Sequence, residues 1–278
     1  MTKCARKFDI RSFEVRANAV KFLPLLCFLT MLSSSTVGKN EQPSPTPSVE
    51  SIVVRLVAAN QRRSRDLRGY HGRRYYHLDY RGFLGSHIAE MQVEAVYTAP
   101  DRKEFKVLSQ SGPKVLINRV LLKLLDSEKE ASQQQTRRQI ELSPENYTFS
   151  FVGIERSSAG SDSYVLSVQP REKNKYLYSG KIWVDARDFA VSRMEGEPAK
   201  NLSLWISRTT IEYIWTRIGE FWLPSSTKSV TQVRLGGAAT LTIQYTDYQV
   251  TGLSRTDIPR GSDKSVLPDP SSVTPDER

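Results

Sequence analysis

Four carboxylates, Asp185, Asp188, Glu195 and Glu197, lie within the stretch GKIWVDARDFAVSRMEGEPAK of residues 180–200. Paired carboxylates are the groups that general acid–base catalysis uses, so an enzymatic site would first be sought here. Apolar residues alternate before and after DARD, and aspartate in a tight connection accepts hydrogen bonds from nearby backbone N–H groups. The pattern therefore predicts a β-hairpin with two aspartates at its turn and two glutamates at its rim, and no catalytic residue.

The three histidines, His71, His77 and His87, are the other candidates for chemistry. His71 and His77 share strand parity and His87 begins the next strand, an arrangement that would permit a surface metal site. Their spacing matches no known ligand pattern. The chain also lacks a phosphate-binding loop, a dinucleotide fingerprint and a nucleophile-elbow sequence. We therefore expect a protein that is not an enzyme and that uses neither a metal nor a cofactor.

Residues 1–38 have the features of a signal peptide. Six cations precede FLPLLCFLTML (22–32), an apolar run too short to span a bilayer, and small residues follow it. Cys27 could carry a lipid anchor, but leucine rather than a small residue precedes it, so a soluble periplasmic product is favoured. Cleavage would remove both cysteines of the chain and leave no disulfide or cysteine metal site.

The rest of the chain divides into a linker, one domain and a tail. Residues 39–47 are rich in proline and serine and predict a linker, and residues 251–278 have few apolar residues and predict a disordered tail. Residues 48–250 form the predicted domain. The net charge is +10, and RRSRDLRGYHGRR (62–74) is the densest basic patch. No recognition motif accompanies this patch, so we expect no nucleic-acid partner.

Hydrophobic periodicity within the domain predicts a helix, three strands, a second helix and then a long run of strands. Ser48 is the expected N-cap of the first helix. Alternation of apolar and polar residues predicts three strands, at 69–82, 88–99 and 103–112. Apolar residues at intervals of three and four predict an amphipathic helix at 114–132, and the polar segment SQQQTRRQ (132–139) is interpreted as a loop. From Asn146 onward, short strands separated by turns indicate an antiparallel meander or open barrel.

Aromatic and long aliphatic side chains recur on one face of these strands. They form either a core that helices cover completely or the wall of a partly filled cavity for an acyl chain. The strand residues expected to line such a cavity are Tyr76, Leu78, Met91, Val93, Phe105, Tyr213 and Trp215. Leu116, Val120 and Leu124 would lie on a helix that closes the opening.

This order of elements resembles the LolA/LolB-like superfamily of periplasmic lipoprotein carriers, and outer-membrane lipoprotein-sorting-protein-like chains in particular. The resemblance covers about residues 48–250 and is carried by LLKLLDSEKEAS, ELSPENYTFSFVGIE, the segment from Tyr164 to Ile206, GEFWLPSSTKSVT and LTIQYTDYQV. It implies an α+β fold in which helices cover the concave face of an open antiparallel β half-barrel. Arg74, on the otherwise apolar face of the first strand, is our candidate for the functional arginine of the carriers.

The resemblance implies an exported envelope protein that binds a lipid or lipoprotein acyl chain in an apolar cavity, with transport to the outer membrane as one role. The alternative is an envelope sensor or scaffold of the same fold that acts through contact with another protein. In that case the basic segment 62–74 or the tail would supply the contact. Neither hypothesis requires a covalent step.

Overall fold

The computed structural model describes residues 47–82, 85–156, 160–200, 206–234 and 236–252. The predicted signal peptide, nearly all of the predicted linker, and residues 253–278 of the predicted tail lie outside these ranges. Within them, no helix combines the length and the apolar character that crossing a membrane would require.

The helices of the described chain are α1 (Val49–Asp66), α2 (Lys114–Leu116), α3 (Leu122–Ser132) and α4 (Gln134–Ile140). Ser48 caps α1 as expected, since its Oγ accepts a hydrogen bond from the backbone N–H of Ser51 at 3.2 Å. A π-helical turn, Ile117–Leu121, joins α2 to α3, so the amphipathic helix predicted at 114–132 is present with a local widening.

Ten antiparallel strands make up the sheet. They are β1 (Leu67–Gly82), β2 (Gly85–Thr98), β3 (Arg102–Ser111), β4 (Tyr147–Arg156), β5 (Asp162–Pro170), β6 (Tyr178–Asp185), β7 (Val191–Pro198), β8 (Ile206–Ile218), β9 (Phe221–Val233) and β10 (Gly237–Gly252). β10 extends two residues beyond the predicted domain boundary at 250.

The strand order is β3-β2-β1-β10-β9-β8-β7-β6-β5-β4, with β3 and β4 at the two edges. Strands β4 to β10 form a meander, and β10 then pairs with β1. Because the chain must travel from one edge strand to the other between β3 and β4, the helical segment 114–140 crosses the sheet and covers one face. The predicted α+β class and open antiparallel sheet with covering helices are confirmed.

The covered face contains two separate hydrophobic cores. α1 packs on β4 to β7, where Ile52, Leu56 and Ile182 are completely buried. The helical segment 114–132, which consists of α2, the π-helical turn and α3, packs on β1, β2 and β10, where Leu121 and Val93 are completely buried. Each helix therefore covers one half of the sheet rather than its middle.

The interpretation of SQQQTRRQ as a loop is wrong, because Gln134–Ile140 forms α4. This segment has no apolar stripe, so local periodicity could not reveal the helix. Tertiary contacts hold it instead. Arg137 donates hydrogen bonds to Ser64 Oγ of α1 at 2.5 Å and to the Pro100 carbonyl oxygen at 2.6 Å, and Ile140 packs against the core beneath α1.

Candidate functional site

A cavity of about 610 Å³ opens on the covered face of the sheet. The C-terminal part of α1, the end of α3 and α4 line one side of it, and strands β6 to β9 line the other. Small-molecule sites in proteins commonly have volumes of about 300 to 1,000 Å³, so this cavity has the size of a ligand site.

Cross-strand register explains why the cavity lies between the two cores. Ile182, Met194 and Tyr213 are paired in sequence across β6, β7 and β8, and the same row continues through Thr227 and Ile243 into the second core. Ile182 is buried beneath α1. The helices therefore cover the two ends of this row, and Met194 and Tyr213 in its middle line the cavity.

The sheet wall of the cavity is apolar and aromatic. Tyr213 stacks on Trp215 with ring centroids 5.5 Å apart and meets Tyr178 edge-on at 6.1 Å, while Met194 and Leu223 extend the surface. Burial raises the pKa of the Tyr213 hydroxyl well above its ordinary value of 10.0, so this phenol stays neutral at physiological pH. The wall can accept an apolar chain without desolvating a charge.

The opposite end of the cavity is polar. Arg137 of α4 donates a hydrogen bond to the Tyr97 hydroxyl at 3.4 Å and another to Ser64 Oγ at 2.5 Å. Tyr97 stacks on Tyr70 with ring centroids 5.4 Å apart, and Lys103 Nζ lies 5.9 Å from the Tyr70 ring centroid. These five residues all line the cavity, and their mutual contacts make them one continuous polar surface.

A third cation, Arg63 of α1, also lines the cavity. Its guanidinium donates to the carbonyl oxygens of Asp188 and Phe189, each at 2.9 Å, and to Asn60 Oδ1 at 3.2 Å. Burial lowers the pKa of Arg63, and the nearby Asp188 carboxylate opposes this shift. Arg63 thus ties α1 to the β6–β7 turn and closes that side of the cavity.

Beside the polar end lies a partly buried ion cluster of Arg74, Glu128 and Lys103. Arg74 is 2% exposed and donates to both Glu128 oxygens, at 2.5 and 3.0 Å. Lys103 Nζ lies 2.5 Å from Glu128 Oε1. Burial by itself would raise the pKa of Glu128, but Lys103 and Arg74 outweigh it and hold this pKa at about 2. Two cations share one carboxylate, so the cluster carries a net positive charge.

The eleven predicted ligand residues are divided between the cavity and a packed core. Tyr213 and Trp215 line the cavity. Four residues are buried in the core beneath the helical segment 114–132, namely Tyr76, Leu78, Met91 and Val93. Four more pack against that core, namely Phe105, Leu116, Val120 and Leu124.

Arg74 does not line the cavity either. Its guanidinium lies between the rings of Phe105 and Tyr245, at 4.9 and 5.0 Å from their centroids, as well as against Glu128. The helix expected to close an opening over β1 and β2 packs directly on those strands. A ligand role for all eleven residues stays a prediction.

Apart from Tyr213 and Trp215, the sequence analysis assigned no ligand role to any residue of the cavity lining; Arg137, Lys103, Met194, Ile140 and Leu223 are among those that it missed. Alternation of Phe221 and Leu223 could have indicated an inward-facing pair, since both lie on one side of β9. No local signal indicated Arg137, because the segment that contains it was interpreted as a loop.

The hairpin predicted for residues 180–200 is confirmed. β6 pairs with β7 through this stretch, and the backbone N–H groups of Arg187 and Asp188 both donate to Asp185 Oδ1 at 2.9 Å. Asp188 in turn accepts a hydrogen bond from Trp222 Nε1 at 3.0 Å. Asp185 therefore stabilises the turn, and Asp188 joins the turn to Trp222 of β9.

The two glutamates of the hairpin pair with arginines on the strands. Glu195 pairs with Arg193, and Glu197 pairs with Arg208 of β8. The first pair lies within β7, and the second joins β7 to β8. Each carboxylate of the stretch has a structural partner.

Replacing Asp185 with alanine is expected to lower the free energy of unfolding by about 2 kcal/mol, because a buried carboxylate that accepts two backbone hydrogen bonds is lost. Chemical denaturation would measure the change. Asp185→Asn keeps one acceptor oxygen and is expected to cost less than half as much. Equal losses for the two variants would contradict a role through these hydrogen bonds.

His71 and His77 lie on the opposite face of the sheet. His71 Nε2 lies 2.7 Å from Glu94 Oε1, and His77 Nδ1 lies 3.0 Å from Glu90 Oε1. His87 is exposed, has the strand parity of Ala89 on the covered face, and stacks on the Tyr80 ring. Within the described ranges, no group of three or more histidine, cysteine, aspartate or glutamate side chains is placed to hold a metal ion.

Comparison with solved structures finds a protein of the LolA superfamily, which the sequence resembles, together with proteins of other descriptions. A LolA superfamily protein from Nitrosomonas europaea has a TM-score of 0.32 and 13% identity, over 76% of this chain and 97% of that one. A DUF1329 family protein from Desulfovibrio piger has a TM-score of 0.36 and 14% identity, over 75% and 96%. The MucA/MucB complex of Pseudomonas aeruginosa has a TM-score of 0.21 and 10% identity, over 73% and 98%.

No protein-family model and no curated protein matches the chain significantly. At the identities and TM-scores given above, the similar structures identify no activity for this protein. The function must therefore be argued from the cavity and the residues that line it.

Proposed function

We propose that this protein is an exported envelope protein whose cavity binds the acyl chain of a lipid or lipoprotein, and that it acts as a carrier without any covalent step. The observation that supports this proposal is the cavity of about 610 Å³ between the two cores, with an apolar and aromatic sheet wall. A domain gains stability by filling its interior with side chains, and this one leaves the middle of its covered face open.

The binding energy would come from transfer of methylene groups out of water. Each buried methylene contributes about 0.8 kcal/mol, so a chain of moderate length supplies several kcal/mol after the cost of association. Such binding is strong enough to hold a lipid in transit and weak enough to release it to a tighter acceptor. The covering helices would shield the chain from water.

A homologous series of saturated fatty acids tests the proposal. Affinity, measured by isothermal titration calorimetry, is expected to rise about threefold to fourfold for each added methylene from octanoate to dodecanoate, because each one buries about 0.8 kcal/mol of apolar surface. Ala131→Trp, which places an indole ring on the α3 wall of the cavity, is expected to weaken dodecanoate binding at least tenfold.

Ala58→Trp is the matched control, because Ala58 is an exposed alanine of α1 outside this cavity. It is expected to leave affinity unchanged. Absence of binding for every chain length, or equal weakening by both tryptophan variants, would refute the cavity as an acyl site. If the proposal holds, native mass spectrometry of wild-type protein isolated from its own envelope shows a homogeneous bound lipid.

A second candidate function, an envelope sensor or scaffold, is favoured by the edge strand β4. Phe151, Val152 and Ile154 of this strand are 38%, 50% and 49% exposed, and an edge strand has backbone groups free to pair with another chain. An empty cavity in native protein, together with a stoichiometric protein partner that protects β4 from hydrogen exchange, would support this function instead.

A further inference from the structure

The charges that face the cavity all have one sign. Among the described residues that line it, those with a formal charge are Arg63, Lys103 and Arg137. No aspartate or glutamate of the described chain belongs to this lining. A half-buried site lined by cations alone has a positive potential, which favours an anion over a neutral polar group.

Arg137 has the greatest unused capacity for an anion. Its guanidinium donates to the Pro100 carbonyl oxygen, Ser64 Oγ and the Tyr97 hydroxyl, all of which are neutral acceptors. No ion pair joins it to a carboxylate of the described residues. Its positive charge is therefore uncompensated in a partly buried position, where charge-assisted hydrogen bonds to a carboxylate or phosphate are strongest.

Lys103 strengthens this preference for an anion. Its side chain is 14% exposed and pairs with Glu128, which is already engaged by Arg74. Since one carboxylate serves two cations, the cluster leaves one positive charge over. The Tyr70 and Tyr97 rings connect Lys103 with Arg137 across the polar end of the cavity.

We propose that the polar end of the cavity, formed by Arg137, Lys103, Ser64, Tyr70 and Tyr97, binds the anionic headgroup of an amphiphile whose chain lies on the apolar wall. The inference rests on the proposed function and adds the chemical class of the ligand, an acyl compound that ends in a carboxylate or a phosphate. Arg137 supplies the principal charge-assisted hydrogen bonds. The wall binds the chain, and the cations select the headgroup.

Three probes with the same twelve-carbon chain test the inference, namely dodecanoate, dodecyl phosphate and dodecanol. Calorimetry at pH 8 is expected to show at least about tenfold tighter binding of the anionic probes than of dodecanol, because a charged hydrogen bond in such a site is worth about 1.5 kcal/mol or more. Arg137→Gln is expected to remove this preference. Comparison of the two anions distinguishes a carboxylate headgroup from a phosphate.

Dodecanol binding serves as the internal control for an intact cavity in each variant. Arg138→Gln, at the exposed neighbouring arginine of α4, is expected to change nothing, and Arg137→Lys should keep most of the preference because it keeps the charge. Equal affinity of the wild-type protein for dodecanol and both anions would overturn the inference and leave the proposed function standing. Failure of all three probes to bind would overturn both.

Discussion

Replacement of Glu128 with glutamine is expected to lower the free energy of unfolding by about 3 kcal/mol. The reason is Arg74, which is 2% exposed and donates to both carboxylate oxygens of Glu128. Removal of one partner of a buried pair leaves the other as an uncompensated charge, which costs about 3 to 5 kcal/mol. The lower end applies here because the Glu128 side chain is 32% exposed. Urea denaturation at pH 7 would measure the loss.

Glu130 of the same helix provides the matched control. It pairs with Lys175 on the surface, where the two side chains are 51% and 50% exposed, so Glu130→Gln is expected to change stability much less than Glu128→Gln does. Similar losses for Glu128→Gln and Glu130→Gln would show that the partly buried cluster has no special role.

The stability of the wild type and that of Glu128→Gln are expected to depend differently on pH. The pKa of Glu128 is lowered from 4.5 to about 2 in the folded state, so its ionised form stabilises the fold fully above pH 4.5. That contribution falls as the pH drops from 4.5 towards 2, because the unfolded state takes up the proton first. The stability difference between wild type and Glu128→Gln is therefore expected to shrink across this interval.

Truncation of Leu56 to alanine is expected to lower the free energy of unfolding by about 3 kcal/mol as well. Leu56 is completely buried on the face of α1 that packs on the sheet, and Leu→Ala changes in cores cost about 2 to 5 kcal/mol from lost burial and the void that remains. α1 packs on the sheet through this core, so its packing also positions Arg63 and Ser64 at the edge of the cavity.

Val54→Ala on the same helix is the control, since Val54 is 66% exposed and a surface change of this kind costs less than about 0.5 kcal/mol. Differential scanning calorimetry of the two variants would separate them. A small loss for Leu56→Ala would mean that α1 does not depend on the core it covers.

The two stability predictions address the two halves of the covered face separately. Leu56 belongs to the core beneath α1, and the Arg74–Glu128 pair fixes α3 to the strands of the other half. The cavity lies between them. Its shape therefore depends on helices that pack on two separate cores.

Local residue patterns determined most of the secondary structure. Alternation along residues 88–99 predicted the buried face of β2, on which Ala89, Met91, Val93 and Ala95 are at most 2% exposed. The N-cap at Ser48 and the turn aspartates of the hairpin were also predictable, because a side chain that bonds a backbone group a few residues away leaves a signal in the sequence itself.

Features held by distant contacts were not predictable. No local residue pattern indicates a helix at 134–140, because the segment is held by distant contacts such as the hydrogen bond from Arg137 to Ser64, which is 73 residues away. Likewise, the burial of Arg74 follows from Glu128, which lies 54 residues further along the chain. A periodic pattern shows which side chains face inward, but it does not show which helix will cover them.

By itself, therefore, the sequence determined the strands, the principal helices and the face of the sheet that carries the apolar side chains. Only the tertiary structure decided which of those side chains are packed and which surround a cavity. The physical reason is that periodicity reports the direction of a side chain relative to its own backbone, whereas a cavity exists where the covering helices stop. That boundary lies between Ile182 and Ile243 in the row across the sheet, and it leaves Met194 and Tyr213 beside open space.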